Sequence, residues 1–202
     1  VIQQQEKTQM PNVLVPLAEG FEELEAISVI DILRRAEVDV VVAGLSDGPV
    51  KASRGTNVLP DMSLDDALQQ DYDMIVLPGG MPGASNLNDD ARVHELLKKM
   101  ANSGKFTGAI CAAPMVLGNA GVLDGKRATS FPGFVDQMDL PTVDYTGVPV
   151  ERDGKVITSR GAGTALDFAL ELVDALVGRE KRDEVEAALQ RPQPNERVAG
   201  SN

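Results

Sequence analysis

Two side chains suited to covalent chemistry occur once each in this 202-residue chain, the cysteine Cys111 and the histidine His94. Single copies exclude an intramolecular disulfide, zinc fingers, Cys/His metal clusters and any site that needs two histidines. Cysteine–histidine catalysis then has one pairing, Cys111 with His94. His94 fails as that partner. It follows Val93 on a helix whose buried stripe reads Val93, Leu96, Leu97 and Met100, so its ring points sideways or to water.

The surroundings of Cys111 are more telling. A strand-like run, Phe106 to Ile110, leads directly into it, and helical patterning starts at Ala112 with no loop between. Gly108, Ala109, Ala112 and Ala113 are small, as a tight strand-to-helix turn requires. This is the pattern of a nucleophile elbow, which pushes one side chain into a pocket. A thiol at a helix N-terminus is favoured as thiolate, so an acidified Cys111 is expected. The plain alternative is a small, inert core cysteine. Pro78-Gly79-Gly80 ends another strand and offers backbone N–H groups for an oxyanion hole, together with Ala112 N–H, although a simple turn reads the same way. It is not a phosphate loop, since no GxxxxGK[ST] and no strand-linked GxGxxG stands in the right place.

Glu22, Glu23 and Glu25 cluster where the first helix begins. Charge–dipole placement accounts for two of them. Glu25 lies further in, beside the inward-facing residues. A carboxyl there, next to a thiolate, is pushed towards its neutral form, from which it donates a hydrogen bond and acts as general acid/base. That chemistry requires the fold to bring Glu25 to Cys111. Arg34, Arg35, Arg54 and Arg160 are isolated cations that read as salt-bridge or interface residues.

The elements that must do this positioning alternate. Val13–Leu17, Val38–Gly44, Met74–Leu77 and Phe106–Ile110 are short apolar strands. Helices are predicted over Glu22–Ala36, with Leu24, Ile27, Ile30 (or Val29) and Leu33 at helical spacing, and over 63–69, Asp89–Asn102, Ala112–Asn119, Thr164–Val177 and Lys181–Gln190. Val50–Pro60 reads as a hairpin. Short strands are expected at Arg127–Ser130 and Thr142–Tyr145, and Val148–Arg152 joins Lys155–Ser159 through Asp153-Gly154. Such alternation predicts an α/β fold with a mainly parallel sheet and helices on both faces. Ligands then bind at the carboxyl ends of the strands, where Glu25, Gly79-Gly80 and Cys111 fall.

Residues 11–190 are expected to form a single domain, with residues 1–10 a disordered lead-in and 191–202 a flexible tail. The first ten residues carry no apolar core of a secretory signal. No run approaches the ~20 apolar residues of a membrane span. A net charge of −12 argues against direct nucleic-acid or membrane binding, and 3% aromatics with no Trp against stacking platforms. A lone thiol fits a reducing cytoplasm.

The segments GFEELEAISVIDILRRA (20–36), VVVAGL (40–45), VLPGGMPGASNL (76–87), GAICAAPMVL (108–117) and ITSRGAGTALDFAL (157–170) together resemble the ThiJ/PfpI superfamily, closest to its DJ-one-like branch. The resemblance implies a flavodoxin-like three-layer sandwich, usually a homodimer. Cys111 would be the reactive cysteine and Glu25 the protonated acid bonded to it. Gly80 and Ala112, with Gly79 beside them, would bind the oxyanion or substrate, and Arg35 and Arg54 would fall near the dimer interface and site.

The implied function is a cofactor-independent, metal-free glyoxalase that turns methylglyoxal into lactate, or a deglycase acting on glycated proteins or nucleotides. The alternative is a redox-sensing holdase chaperone that uses oxidation of Cys111. One departure weakens a peptidase or amidase reading: Phe131 stands where many relatives place a histidine.

Overall fold

The computed structural model describes residues 10–192 and Glu196. Apart from Met10, Arg191, Pro192 and Glu196, the expected lead-in and tail lie outside the described residues. Arg191, at the start of that tail by sequence, is tied down by Asp167 at 2.6 Å and Glu186 at 3.2 Å.

The chain runs β1 (Asn12–Leu17), α1 (Glu23–Arg35), β2 (Asp39–Gly44), β3 (Val50–Lys51), β4 (Asn57–Val58), β5 (Met62–Ser63) and α2 (Leu64–Ala67). Then follow β6 (Met74–Leu77), α3 (Gly83–Asp89), α4 (Ala91–Asn102), β7 (Phe106–Ile110) and α5 (Pro114–Asn119). The last third holds β8 (Arg127–Ala128), β9 (Asp144–Tyr145), β10 (Val150–Asp153), β11 (Val156–Ser159), α6 (Ala165–Val177) and α7 (Arg179–Ala188). Seven strands form one sheet in the order β10-β11-β7-β6-β1-β2-β5. Only β10 runs antiparallel in it, against β11. The fold is therefore flavodoxin-like, a mainly parallel sheet between two helical layers.

Period-two alternation of the strands explains the two cores. In β1, Val13, Val15 and Leu17 face one side, where Ala26, Val29 and Leu33 of α1 and Phe168, Ala169 and Leu172 of α6 cover them. Leu14 faces the other side, with Leu97 of α4 and Val116 of α5. Both faces are buried, which is why these strands read as unbroken apolar runs.

Several boundaries differ from those expected. Helix α1 turns a different face inward. Leu24 and Ile27 are 63% and 43% exposed, while Glu25, Ala26, Val29, Ile30, Ile32 and Leu33 are buried. A helix that carries apolar residues on two sides has an ambiguous stripe, and packing against α6 and the sheet decides it. Ser63 caps α2 as predicted, its hydroxyl accepting from Asp66 N at 3.2 Å, but the helix stops at Ala67. Helix α3 lies in a segment with no predicted element. Helix α5 starts at Pro114, so Cys111, Ala112 and Ala113 form a turn before it. The hairpin turn shifts by one residue, since Asp153 still pairs with Val156.

Phe168 fixes the strand that carries Cys111 to its cover. A Cβ built on Gly108 of β7 would sit 3.4 Å from the Phe168 ring, so helix and strand are already in close contact. Truncation to Phe168→Ala, at a fully buried site, is expected to cost about 3–5 kcal/mol in urea denaturation. Phe131→Ala, at a half-exposed ring, is expected to shift stability by less than ~1 kcal/mol.

Candidate active site

Cys111 stands directly after β7 in the left-handed region, at φ 63°. A non-glycine residue held there costs about 1–3 kcal/mol and persists only where its surroundings over-determine it. They do. Its N–H donates to the Ser159 carbonyl at 2.9 Å, and its own carbonyl accepts from Phe131 N at 2.8 Å. The elbow is clamped on both sides of the peptide, by the end of β11 and by the segment after β8.

Each of the three acidic residues at the start of α1 has its own partner. Glu22 is the N-cap, its carboxylate accepting from Glu25 N at 3.0 Å. Glu23 pins the β3–β4 hairpin loop, accepting from Arg54 N at 2.9 Å and Ser53 Oγ at 3.3 Å. Burial works against ionisation of Glu23, but these donors outweigh it and hold the carboxyl below its usual range.

Glu25 is 0% exposed and accepts from Gly79 N at 2.8 Å through Oε2. Its carboxyl also bonds the Cys111 side chain. Glu25 Oε1 is buried with no hydrogen-bond partner among the described residues.

Burial raises the Glu25 carboxyl to about 7, against the pull of Cys111 and Gly79 N–H. Burial also pushes the Cys111 thiol up, to about 12, and the Glu25 charge adds to it. Gly80 and Ala112 N–H groups bond the sulfur and pull the other way. The acidified thiol expected from a helix N-terminus is thus corrected. Helix α5 begins two residues late, at Pro114, and two acids in one dry site retain one proton between them. That shared proton is the chemical capacity of the arrangement. A thiolate beside a carboxylic acid and a thiol beside a carboxylate differ only in its position.

Glycine is required on the other side of the pair. A Cβ on Gly79 would lie 2.6 Å from both Cys111 Cβ and Glu25 Oε2. Gly80 has φ 88°, and a Cβ there would come 2.5 Å from Glu22 N. The role expected for Gly79 shifts: its N–H serves Glu25, leaving Gly80 and Ala112 as the donors at sulfur.

The remaining candidates lie apart from the pair. His94 Nε2 bonds the Asn88 carbonyl at 2.8 Å, at the end of α3. Arg35 pairs with Asp31 along its own helix at 3.0 Å, and Arg54 meets Glu23 through its backbone. Neither arginine contributes to the charge balance of Cys111 or Glu25. Sequence reasoning missed Ser159, whose carbonyl holds the elbow. No local sequence pattern marks it, because only the pairing of β11 beside β7 in the folded sheet brings it to the elbow. Among the described residues no cluster of His, Cys, Asp or Glu is arranged to hold a metal.

A flavodoxin-like sheet with a strained cysteine at a strand end, paired with a buried glutamate, defines a class. The chain belongs to the DJ-1/PfpI family, which residues 11–175 match. It is 44% identical to the protein dj-1beta of Drosophila melanogaster over 177 residues, 87% of this chain and 95% of that one. The crystal structure of Drosophila DJ-1beta superposes with a TM-score of 0.86 at 42% identity, covering 91% of this chain and 100% of that chain. A Caenorhabditis elegans relative named glutathione-independent glyoxalase DJR-1.2 is 40% identical over 169 residues, 84% of this chain and 89% of that one. The chain spans less than half the length of two Arabidopsis thaliana relatives that it matches, 39% of DJ-1 homolog B and 48% of homolog A.

Glu25 binds its proton more tightly in the folded chain than in the unfolded one, so its contribution to stability is complete below about pH 4 and is lost as pH rises through about 7. The loss is about 3 kcal/mol. Urea midpoints across this window should fall for the native chain and stay flat for Glu25→Gln.

Proposed function

We propose that the protein is a cofactor-independent cysteine enzyme of the stress-protection type that converts methylglyoxal-like 2-oxoaldehydes into 2-hydroxy acids. The observation that carries this reading is the fully buried Glu25 carboxyl set beside Cys111 at a strained elbow. The name of the C. elegans relative supports the reaction type.

The steps use only these groups. Above about pH 7 the pair carries one negative charge. Glu25 takes the thiol proton as sulfur adds to the aldehyde carbon, breaking the C=O π bond. Gly80 and Ala112 N–H groups steady the developing oxyanion. Glu25 returns the proton to that oxygen, giving a hemithioacetal, and is again a carboxylate. It then removes the proton from C1, leaving an enediolate, and delivers it to C2 as the C1 hydroxyl proton passes to the C2 oxygen, which gives a thioester at C1 and a hydroxyl at C2. C1 is oxidised and C2 reduced within one molecule, so no external redox partner is needed. Water cleaves the resulting thioester, releasing the hydroxy acid and restoring the thiol. Early glycation adducts of proteins or nucleotides are hemiaminals that release the amine and the free 2-oxoaldehyde reversibly, and consumption of that aldehyde at Cys111 extends the reading to deglycation.

A homodimer is part of the proposal: Leu24 and Ile27 form an exposed apolar pair on α1 for a second copy to cover. The compartment proposed is a reducing cytoplasm, which keeps the thiol free. No helix of the described residues is long and apolar enough to cross a membrane.

Methylglyoxal incubated with the protein, without glutathione, should yield lactate. Its kcat/KM should rise through about pH 7 and then level, as Glu25 ionises. Cys111→Ser and Glu25→Gln should each lower kcat/KM by ~100-fold or more. Unchanged turnover in both variants rejects the mechanism. A gain of two oxygens at Cys111 under mild peroxide, with suppressed aggregation of a client protein and no lactate, would favour the redox-chaperone reading instead.

A further inference from the structure

The first turn of α1 is slung between two parts of the molecule. Glu23 and Glu25 stand two residues apart on it, so their side chains leave the helix on opposite sides. Glu25 reaches the turn after β6, where Gly79 N–H donates to Oε2 at 2.8 Å. Glu23 reaches the loop between β3 and β4. Its Oε1 accepts from Arg54 N at 2.9 Å and Thr56 N at 3.4 Å, and its Oε2 from Ser53 Oγ at 3.3 Å. Burial opposes its charge, but these donors hold the carboxyl below its usual range, so the tie stays charged wherever Glu25 titrates. Two backbone bonds fix the chain just before the helix, Ser53 N to the Phe21 carbonyl and Gly20 N to the Lys51 carbonyl, both at 2.8 Å. Glu23 carries that attachment into the helix itself. On the Glu25 side there is no slack. The carboxyl is fully buried, and a Cβ on Gly79 would lie 2.6 Å from both Glu25 Oε2 and Cys111 Cβ.

We propose that Glu23 is a positioning residue for the Cys111–Glu25 pair: by clamping the β3–β4 loop to the first turn of α1, it sets the depth at which Glu25 sits beside the thiol. The inference deepens the 2-oxoaldehyde reading, on which its kinetic arm rests. Without the clamp, the turn after β6 holds the first turn of α1 from one side only. The loosened turn admits water to the Glu25 carboxyl and weakens the burial that raises it. The carboxyl then ionises at lower pH and becomes a weaker base for the thiol proton. Cys111 and Glu22, the titratable groups that act on it, are left unchanged.

The test compares the native chain with four variants. Glu23→Ala removes the clamp, and Glu23→Asp keeps its charge but stops one methylene short. Glu23→Gln keeps its length and an accepting oxygen for the Arg54 and Thr56 N–H groups, without the charge. Ser63→Ala removes the cap of α2, which shares no hydrogen bond with the clamp, and controls for general destabilisation. Two rates are followed from about pH 5 to 9, alkylation of the lone cysteine by iodoacetamide and kcat/KM for methylglyoxal. In Glu23→Ala the inflection near 7 should move at least ~0.5 pH unit lower, and kcat/KM should fall ~5–20-fold, mainly through kcat. Glu23→Asp should move in the same direction. Glu23→Gln and Ser63→Ala should keep the native inflection.

Alkylation profiles that coincide for the native chain, Glu23→Ala and Glu23→Asp overturn the proposal. An equal displacement in Glu23→Gln assigns the effect to charge, and one in Ser63→Ala to loosening of the whole fold; either overturns it. So does a change of oligomeric state in Glu23→Ala by light scattering, which assigns the effect to a subunit interface. If no chain yields lactate but the alkylation inflection moves in Glu23→Ala and not in Glu23→Gln, the glyoxalase reading fails while the positioning role stands.

Discussion

One buried proton organises this molecule's chemistry. The fold places a carboxyl and a thiol in contact, removes water from the carboxyl, and leaves them room for a single negative charge. Burial alone would make both groups inert. The backbone N–H groups of Gly79, Gly80 and Ala112 prevent that, because they compensate the charge wherever it rests, on Oε2 or on sulfur. With the carboxyl near 7 and the thiol near 12, the proton rests on sulfur above pH 7, and the carboxylate beside it stands ready to take that proton as the sulfur reacts.

The rest of the structure holds the two groups where this exchange works. Three separate stretches converge on Cys111: the end of β11 through Ser159, the segment after β8 through Phe131, and the turn after β6 through Gly80. Convergence of this kind is what sustains a cysteine at positive φ. On the acid's side, Glu22 closes the helix start and hands its own N–H to the Gly79 carbonyl at 2.9 Å, while Gly79 N–H reaches Glu25. One peptide stretch after β6 therefore serves both halves of the pair.

Much of this was legible in the sequence. The strand-to-helix run at Cys111, the three glutamates and the double glycine all announce a site at the sheet rim, and the α/β order follows from unbroken apolar strands. What stayed hidden depends on long-range packing. Residues Gly83–Asp89 contain Gly, Ser, Asn and Asp, poor helix formers, and α3 exists because Ala84 and Leu87 are buried. Leu24 and Ile27 fit a helical stripe by spacing, yet α1 is oriented by the partners of Ala26, Val29 and Leu33. The thiol's acidity was misjudged because helix polarity is visible locally, whereas the desolvation that outweighs it is a property of the assembled core. The contact between Glu25 and Cys111 joins residues 86 positions apart, which no local pattern reports.

The rotation of α1 has a mechanical side. Leu24 and Ile27 bracket Glu25 along the chain but emerge on the outer surface, while the carboxyl points into the protein. A short helix moves as a rod. Any body that presses on the two outer residues therefore bears, through less than one turn of helix, on the lever that sets the distance between carboxyl and sulfur. The outer surface of α1 and the buried acid are parts of one rigid element.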